Sequence, residues 1–450
     1  MEYQANTRSN INENSTSQAI KEIALGLTLD GGGIKGYTSL LILQRLMLFV
    51  SIEEVSEPRN EAPTPEELRS ITPALPHEYF DYIVGTSTGG LIAIMLGRLH
   101  LTVEECIHEY DTFAHKIFAR PRRGHVRSLL WLPRSKFDCR ELKKFIQDVI
   151  KHHKYPNTAN SDNSEVDRGA PWKMFSDPPL VGRPLCCSGT CDCFSKGTSE
   201  SEATSHSCKT AVIATKKEYP SSRAWFIRSY IHENTLNLDI PPGTTSTKYE
   251  IWEVARATSA APGYFKPLII EGEEKEVQFM DGGLEYNNPS LLAFYEMEYM
   301  AKNTHATRNI ELRGCLVSIG CGISAFDVFP EDKQWPATRY IKLLRAFRKI
   351  ATDTEKAHKD VKAATDLHQF PYYRFNVDKG LEKVMLDDWG YKRREFVEDG
   401  EQKSERLRTF EYFRRVTLNY LEQPNVKEKM RDCAKLLVRY HRQRREVGYM

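Results

Sequence analysis

Five residues, Gly85-Thr86-Ser87-Thr88-Gly89, limit what this chain can fold into more than any other feature. They lie between an apolar run, Tyr79 to Val84, and a helix-like run, Gly90 to Leu96. A G-x-S-x-G at a strand-to-helix turn is the pattern of a nucleophile elbow. Small residues on each side of Ser87 let the chain turn sharply, which lifts the hydroxyl out of a sheet. The N-terminus of the following helix points at the same spot and favours negative charge there. Ser87 is therefore the candidate nucleophile. A turn serine without chemistry is the plainer reading, and the flanking strand and helix patterns weigh against it.

Two more glycine motifs bear on the chemistry. Asp30-Gly31-Gly32-Gly33-Ile34-Lys35-Gly36 follows the apolar run Ile23 to Leu29. Three consecutive glycines expose backbone N–H groups without side-chain cover. Such a loop suits an oxyanion hole, a set of fixed donors aimed where charge develops in acyl transfer. Gly31, Gly33 and Gly36 also satisfy the dinucleotide-binding G-x-G-x-x-G, with Glu53 or Glu54 near the spacing of a ribose-binding acid. That acid should end a second strand, whereas residues 38–50 read as one helix. A phosphate-binding P-loop is excluded, because Tyr37 follows Gly36. The second motif, Asp281-Gly282-Gly283, follows Phe279-Met280. It can bring a carboxylate close to another backbone loop. Taken alone, it reads as an Asx turn.

These three motifs, in this order, resemble the patatin-like lipid acyl hydrolases, including the calcium-independent phospholipases of that group. The resemblance covers roughly Ile23 to Ile319. It is supported by Ala257-Thr258-Ser259-Ala260-Ala261-Pro262 and by Gly283-Leu284-Glu285-Tyr286-Asn287-Asn288-Pro289. It implies a three-layer α/β/α fold with a central mixed sheet, and hydrolysis of fatty-acyl esters of phospholipids or related lipids. It also implies a Ser-Asp dyad, with Ser87 as nucleophile and Asp281 as general base. Gly31, Gly32 and Gly33 would supply the oxyanion donors, with Asp30, Gly36, Gly85, Gly89, Gly282 and Gly283 shaping the loops. Lys35 stands where many relatives carry Arg and keeps the positive charge. No metal and no cofactor are expected.

A Ser-His-Asp esterase is the rival enzyme reading, and a lipid-binding signalling module with little turnover the non-enzymatic one. A triad would need an acid and then a histidine downstream of Ser87. His305, His358 and His368 are available, but none stands in a distinctive motif, and all three are expected to face solvent. An aspartate has an ordinary pKa of about 4 and is a weak base. Asp281 would therefore act by close hydrogen bonding to Ser87 and concerted proton transfer.

At 450 residues, with 40% hydrophobic and 28% charged residues, the chain can bury a sizeable core. A net charge of +2 gives no general pull toward nucleic acid. Residues 1–21 are polar and read as a disordered N-terminus without a signal sequence. A cytoplasmic location, with transient contact at membrane surfaces, is expected. The ten cysteines then read as thiols. Residues 22–325 read as the catalytic domain, interrupted by a Cys-rich polar insertion at about 154–209. The cluster Cys186, Cys187, Cys191, Cys193, Cys208 and His206 only loosely matches zinc spacing, and lipid acylation of these thiols is a further option. The plainer reading is an insertion with no catalytic role. Arg120 to Arg127 followed by Ser128 to Pro133 places basic residues beside an apolar, Trp-containing segment. That fits either a membrane-surface contact or a solvated loop packed at one end. Residues 326–450 read as a helical extension packed on the catalytic domain. Oligomeric state, head-group preference and sn position leave no mark in the sequence.

Overall fold

A computed structural model describes residues 20–56, 63–122, 135–154, 208–217, 222–230, 232, 243–245, 249–270, 276–304, 310–323, 354–398 and 400–446. Its strands, in chain order, are β1 (Ile20–Leu29), β2 (Tyr82–Thr86), β3 (Lys209–Lys217), β4 (Ser222–Arg228), β5 (Gly243–Thr245), β6 (Leu268–Ile270), β7 (Val277–Asp281), β8 (Ile310–Ile319), β9 (Tyr372–Phe375), β10 (Tyr391–Glu398) and β11 (Glu401–Arg408). Among the described residues, β1 to β9 form one mixed sheet. Its main path runs β5-β4-β3-β2-β1-β8-β9, with β7 pairing to β3 and β6 to β7. Strands β2, β1, β8 and β9 run parallel with β3, whereas β4 and β7 run antiparallel to it.

Strand alternation divides the core into two sides. Leu25, Leu27, Leu29, Ile83, Val212, Val317 and Ile319 face one layer of helices, built from Gly36–Ser56, Val103–Ile117, Thr409–Leu421 and Pro424–Glu446. Ala24, Tyr82, Val84, Ala211, Ile213 and Leu316 face the other, built from Ser290–Thr304 and Thr354–Leu367. This is the expected three-layer α/β/α arrangement. The central strands are apolar on both faces because both faces are covered.

Strand β1 lies between β2 and β8, both parallel to it. The chain leaves β1 toward β2 and returns later to the opposite side at β8. Such a reversal opens a crevice at the carboxyl ends of the strands, where open α/β sheets bind ligands. The glycine loop leaves β1 at this point.

The structure revises several expectations drawn from sequence. β1 begins at Ile20, ahead of the expected Ile23, so residues 20 and 21 belong to the sheet. The first helix runs on to Ser56. The C-terminal part is not purely helical: β9 extends the central sheet beside β8, and β10 and β11 form an antiparallel hairpin. Most of the Cys-rich insertion, the segment 123–134 and His305 fall outside the described residues. Cys106, Cys139, Cys208, Cys315, Cys321 and Cys433 are unpaired thiols.

Candidate active site

β3 brings the two halves of the site together. Its Ile213 pairs with Thr86, the last residue of β2, and its Ala214 pairs with Asp281, the last residue of β7. Ser87 and Asp281 therefore emerge from flanking strands at one end of the sheet. Ser87 Oγ donates to Asp281 Oδ2 at 2.7 Å. Asp281 Oδ1 accepts from the Gly283 N–H at 2.8 Å, so both carboxylate oxygens are held. The Asp281 backbone carbonyl accepts from Thr215 Oγ1 at 2.9 Å.

Ser87 has φ of +56°, a conformation that L side chains adopt at a cost. The turn is held from three sides. The Ser87 N–H donates to Thr258 Oγ1 at 2.9 Å, while Thr258 donates to the Ile213 carbonyl at 2.6 Å. The Ser87 carbonyl accepts from the Leu91 N–H, starting the helix Thr88–Ala93. Gly89 lies so near the glycine loop that a Cβ there would come within 2.4 Å of the Leu29 and Asp30 carbonyls. Only glycine allows that approach, which places the elbow against the loop.

Gly31, Gly32 and Gly33 do not present three equivalent donors. The Gly31 N–H donates to the Asn287 carbonyl at 3.0 Å, and Asn287 Nδ2 donates back to the Gly31 carbonyl at 2.9 Å. This reciprocal clamp occupies the Gly31 amide. The Gly32 N–H meets Thr88 Oγ1 at a longer 3.2 Å. The Gly33 N–H has no protein partner among the described residues, and Gly33 sits at φ of +56°. The Gly33 carbonyl accepts from Tyr110 Oη. Lys35 is buried just beyond the loop, and burial pulls its ammonium pKa below the ordinary lysine value.

Asp281 is fully buried. Burial raises its pKa from 3.8 to about 7, against the lowering effect of the Ser87 and Gly283 hydrogen bonds. At that value the carboxyl binds a proton more readily than an ordinary aspartate does. Of the expected solvent-facing histidines, His368 is exposed and pairs with Glu298 at 2.9 Å. His358 is half-buried instead, with Nδ1 3.2 Å from Tyr372 Oη. The Ser87 hydroxyl bonds to Asp281 and not to either histidine.

Behind the elbow lies an apolar cavity. Leu91, Ile94 and Met95 line it from the segment after Ser87, and Tyr110, Phe113 and Phe145 close it. Among the described residues, no helix is long and apolar enough to cross a membrane. Asn287 and Thr258 stand in motifs that supported the family resemblance, yet nothing local in the sequence assigned them these contacts.

The sheet with its switch point at β1, the elbow and the glycine loop together define a patatin-type α/β fold. The family model described as patatin-like phospholipase matches residues 27–294, and the chain belongs to that family. Among curated proteins it is similar to rat calcium-independent phospholipase A2-gamma, at 26% identity over 422 residues, covering 92% of this chain and 40% of the relative. It is also similar to patatin-like phospholipase 1 of Plasmodium falciparum (isolate NF54), at 24% identity over 92% of this chain and 50% of the relative. Phospholipase A I of Arabidopsis thaliana matches at 24% identity over 78% of this chain and 24% of the relative. The chain thus spans half or less of the length of each of these relatives.

Proposed function

We propose that this chain is a lipid acyl hydrolase that cleaves fatty-acyl esters of phospholipids or related lipids by a Ser87–Asp281 dyad. The observation that carries the proposal is the 2.7 Å hydrogen bond from the Ser87 hydroxyl to a buried carboxylate whose pKa is about 7. A base poised near the operating pH combines a useful ionised fraction with a real drive to take a proton.

In the proposed reaction, Ser87 Oγ attacks the ester carbonyl carbon while its proton passes to Asp281 Oδ2. The carbonyl oxygen becomes an oxyanion and accepts from the Gly33 N–H, joined by the Gly32 N–H as it leaves Thr88. Gly31, clamped by Asn287, holds the loop. The tetrahedral centre collapses, the C–O bond to the alcohol breaks, and the alcohol takes the proton from Asp281. Water then attacks the acyl-Ser87 ester, again giving its proton to Asp281. The carboxylic acid leaves and Ser87 regains its proton. The apolar cavity behind the elbow, about 20 Å³ as it stands, would have to widen to admit an acyl chain.

The test is fatty-acid release from a panel of defined phospholipids, galactolipids and neutral glycerides, with wild type and Ser87→Ala. Wild type is expected to release fatty acid and to be labelled by a fluorophosphonate. Folded Ser87→Ala is expected to do neither. Turnover retained by the folded variant sinks the nucleophile assignment, and a folded, unlabelled wild type favours a binding module.

A further inference from the structure

The chain Asp30-Gly31-Gly32-Gly33 has one side chain by which it can be gripped, and that is Asp30. Its carboxylate is 1% exposed and lies in a fork: Arg374 Nη1 reaches Oδ1 at 2.9 Å and Nη2 reaches Oδ2 at 2.6 Å. The Arg374 side chain is itself 5% exposed. Nη1 also donates to Ser318 Oγ at 2.9 Å, and the Arg374 carbonyl accepts from Lys429 Nζ at 2.7 Å. On the other side, the Asp30 N–H donates to the Ile319 carbonyl at 3.1 Å. Arg374 belongs to β9, far beyond residue 294, where the family match ends.

A buried ion pair is a poor way to add stability, because desolvation offsets most of the Coulombic gain. A bidentate fork does fix the plane and position of a carboxylate, which a lysine ammonium does not. Polyglycine is the backbone that most needs such fixing, since glycine has the most conformations open to it. Donors in an oxyanion hole work only if they are held in place before charge appears.

We infer that Arg374 is a positioning residue for the oxyanion loop: by holding Asp30 in a fork, it keeps the Gly32 and Gly33 amides where negative charge forms. This rests on the hydrolase reading above. A positioning role and a purely structural role differ in what they move. Misplaced donors weaken the transition state and leave ground-state binding intact.

The experiment compares wild type with Arg374→Lys, which keeps the charge and loses the fork. The measurements are folded fraction, kcat and KM on a short-chain p-nitrophenyl ester, and inhibition by a trifluoromethyl ketone. That ketone forms a hemiketal oxyanion with the serine and so reports on the hole. For folded Arg374→Lys, kcat is expected to fall about 10- to 100-fold with KM within twofold. Ketone affinity should fall in proportion to kcat/KM. Unchanged kcat and ketone affinity in the folded variant overturn the inference, as does a loss that appears only in KM. If Arg374→Lys does not fold, Asp30→Asn/Arg374→Gln, which keeps a neutral hydrogen-bonding pair, is measured in the same way. Failure of both to fold assigns the pair to stability and overturns the inference. A wild type without turnover or ketone binding overturns the hydrolase reading and this one with it.

Discussion

Asp281 combines a capability and a cost in one side chain. In the proposed reaction it takes the Ser87 proton when ionised, but the fold must then keep a charge out of water. The folded pKa of about 7 lies above the ordinary 3.8. The contribution to stability is therefore fully present below about pH 4 and is lost as pH rises through about 7. Activity should run the other way, because the base works only when ionised. The kcat/KM profile is expected to rise with an apparent pKa near 7 and then level off. Asp281→Asn should lower the rate about 10²- to 10⁴-fold and abolish that rise. It should also melt at a higher temperature than wild type at pH 8, with the difference vanishing near pH 4. His358→Ala and His368→Ala should each stay within a few-fold of wild type. A flat profile from pH 5 to 8, or a histidine variant more damaging than Asp281→Asn, would sink this account. Ser87, Asp281 and the three glycines were legible in the sequence because strained turns and close approaches admit few residue types. Arg374, Thr258 and Asn287 make their polar contacts across long sequence separations, and such contacts leave no local pattern.

Elements were legible where local signals agreed. The helix Val103–Ile117 starts at a capping box, Thr102 with Glu105, and buries one apolar face. β10 and β11 were not, because YKRREFVE and EQKSERLR are rich in residues that also favour helices. Cross-strand pairing, such as Arg394 opposite Glu405, overrides that preference. The Asp399-Gly400 dipeptide between the strands was the one hairpin signal available. At the elbow, the helix Thr88–Ala93 passes into a π-helical turn, Ile94–Arg98. Such turns are frequent at functional sites. Here it supplies Ile94 and Met95 to the apolar cavity. If that cavity, about 20 Å³ as it stands, widens to take the acyl chain, a larger side chain should shorten the chain it accepts. Met95→Trp is expected to lower kcat/KM for a palmitoyl ester at least tenfold relative to a butyryl ester, since each excluded methylene is worth about 1 kcal/mol or more. Competition between the two esters measures the ratio directly. An unchanged ratio in the folded variant would place the acyl chain elsewhere.

On the scale of the whole molecule, the C-terminal part is fastened into the core. β9 lies in the central sheet, and the last helix, Pro424–Glu446, packs on the first, Gly36–Ser56. From that last helix, Arg444 Nη1 pairs with Asp81 Oδ1, and Nη2 donates to the Tyr79 carbonyl at 2.7 Å. Asp81 Oδ2 accepts from the Leu25 N–H at 2.7 Å, so one carboxylate joins the final helix, the approach to β2 and the centre of β1. Both side chains are largely buried, with Arg444 at 3% and Asp81 at 11% exposed. Removing the arginine would take this counter-charge from a largely buried carboxylate, a loss that typically costs about 3–5 kcal/mol. Arg444→Met is therefore expected to lower the melting temperature by several degrees at pH 8. The variant's deficit should be largest where the Asp81 carboxylate is ionised and shrink as acid protonates it. Asp81→Asn/Arg444→Met removes both charges and should recover much of the lost stability, with little dependence on pH. Melting curves of the two variants and wild type at pH 4, 6 and 8 test this. If Arg444→Met melts with wild type at every pH, the C-terminal helix is not secured through Asp81. That helix would then be held by its packing on Gly36–Ser56 and by its other polar contacts, such as Arg442 Nη2 with Glu54 Oε2 at 2.8 Å.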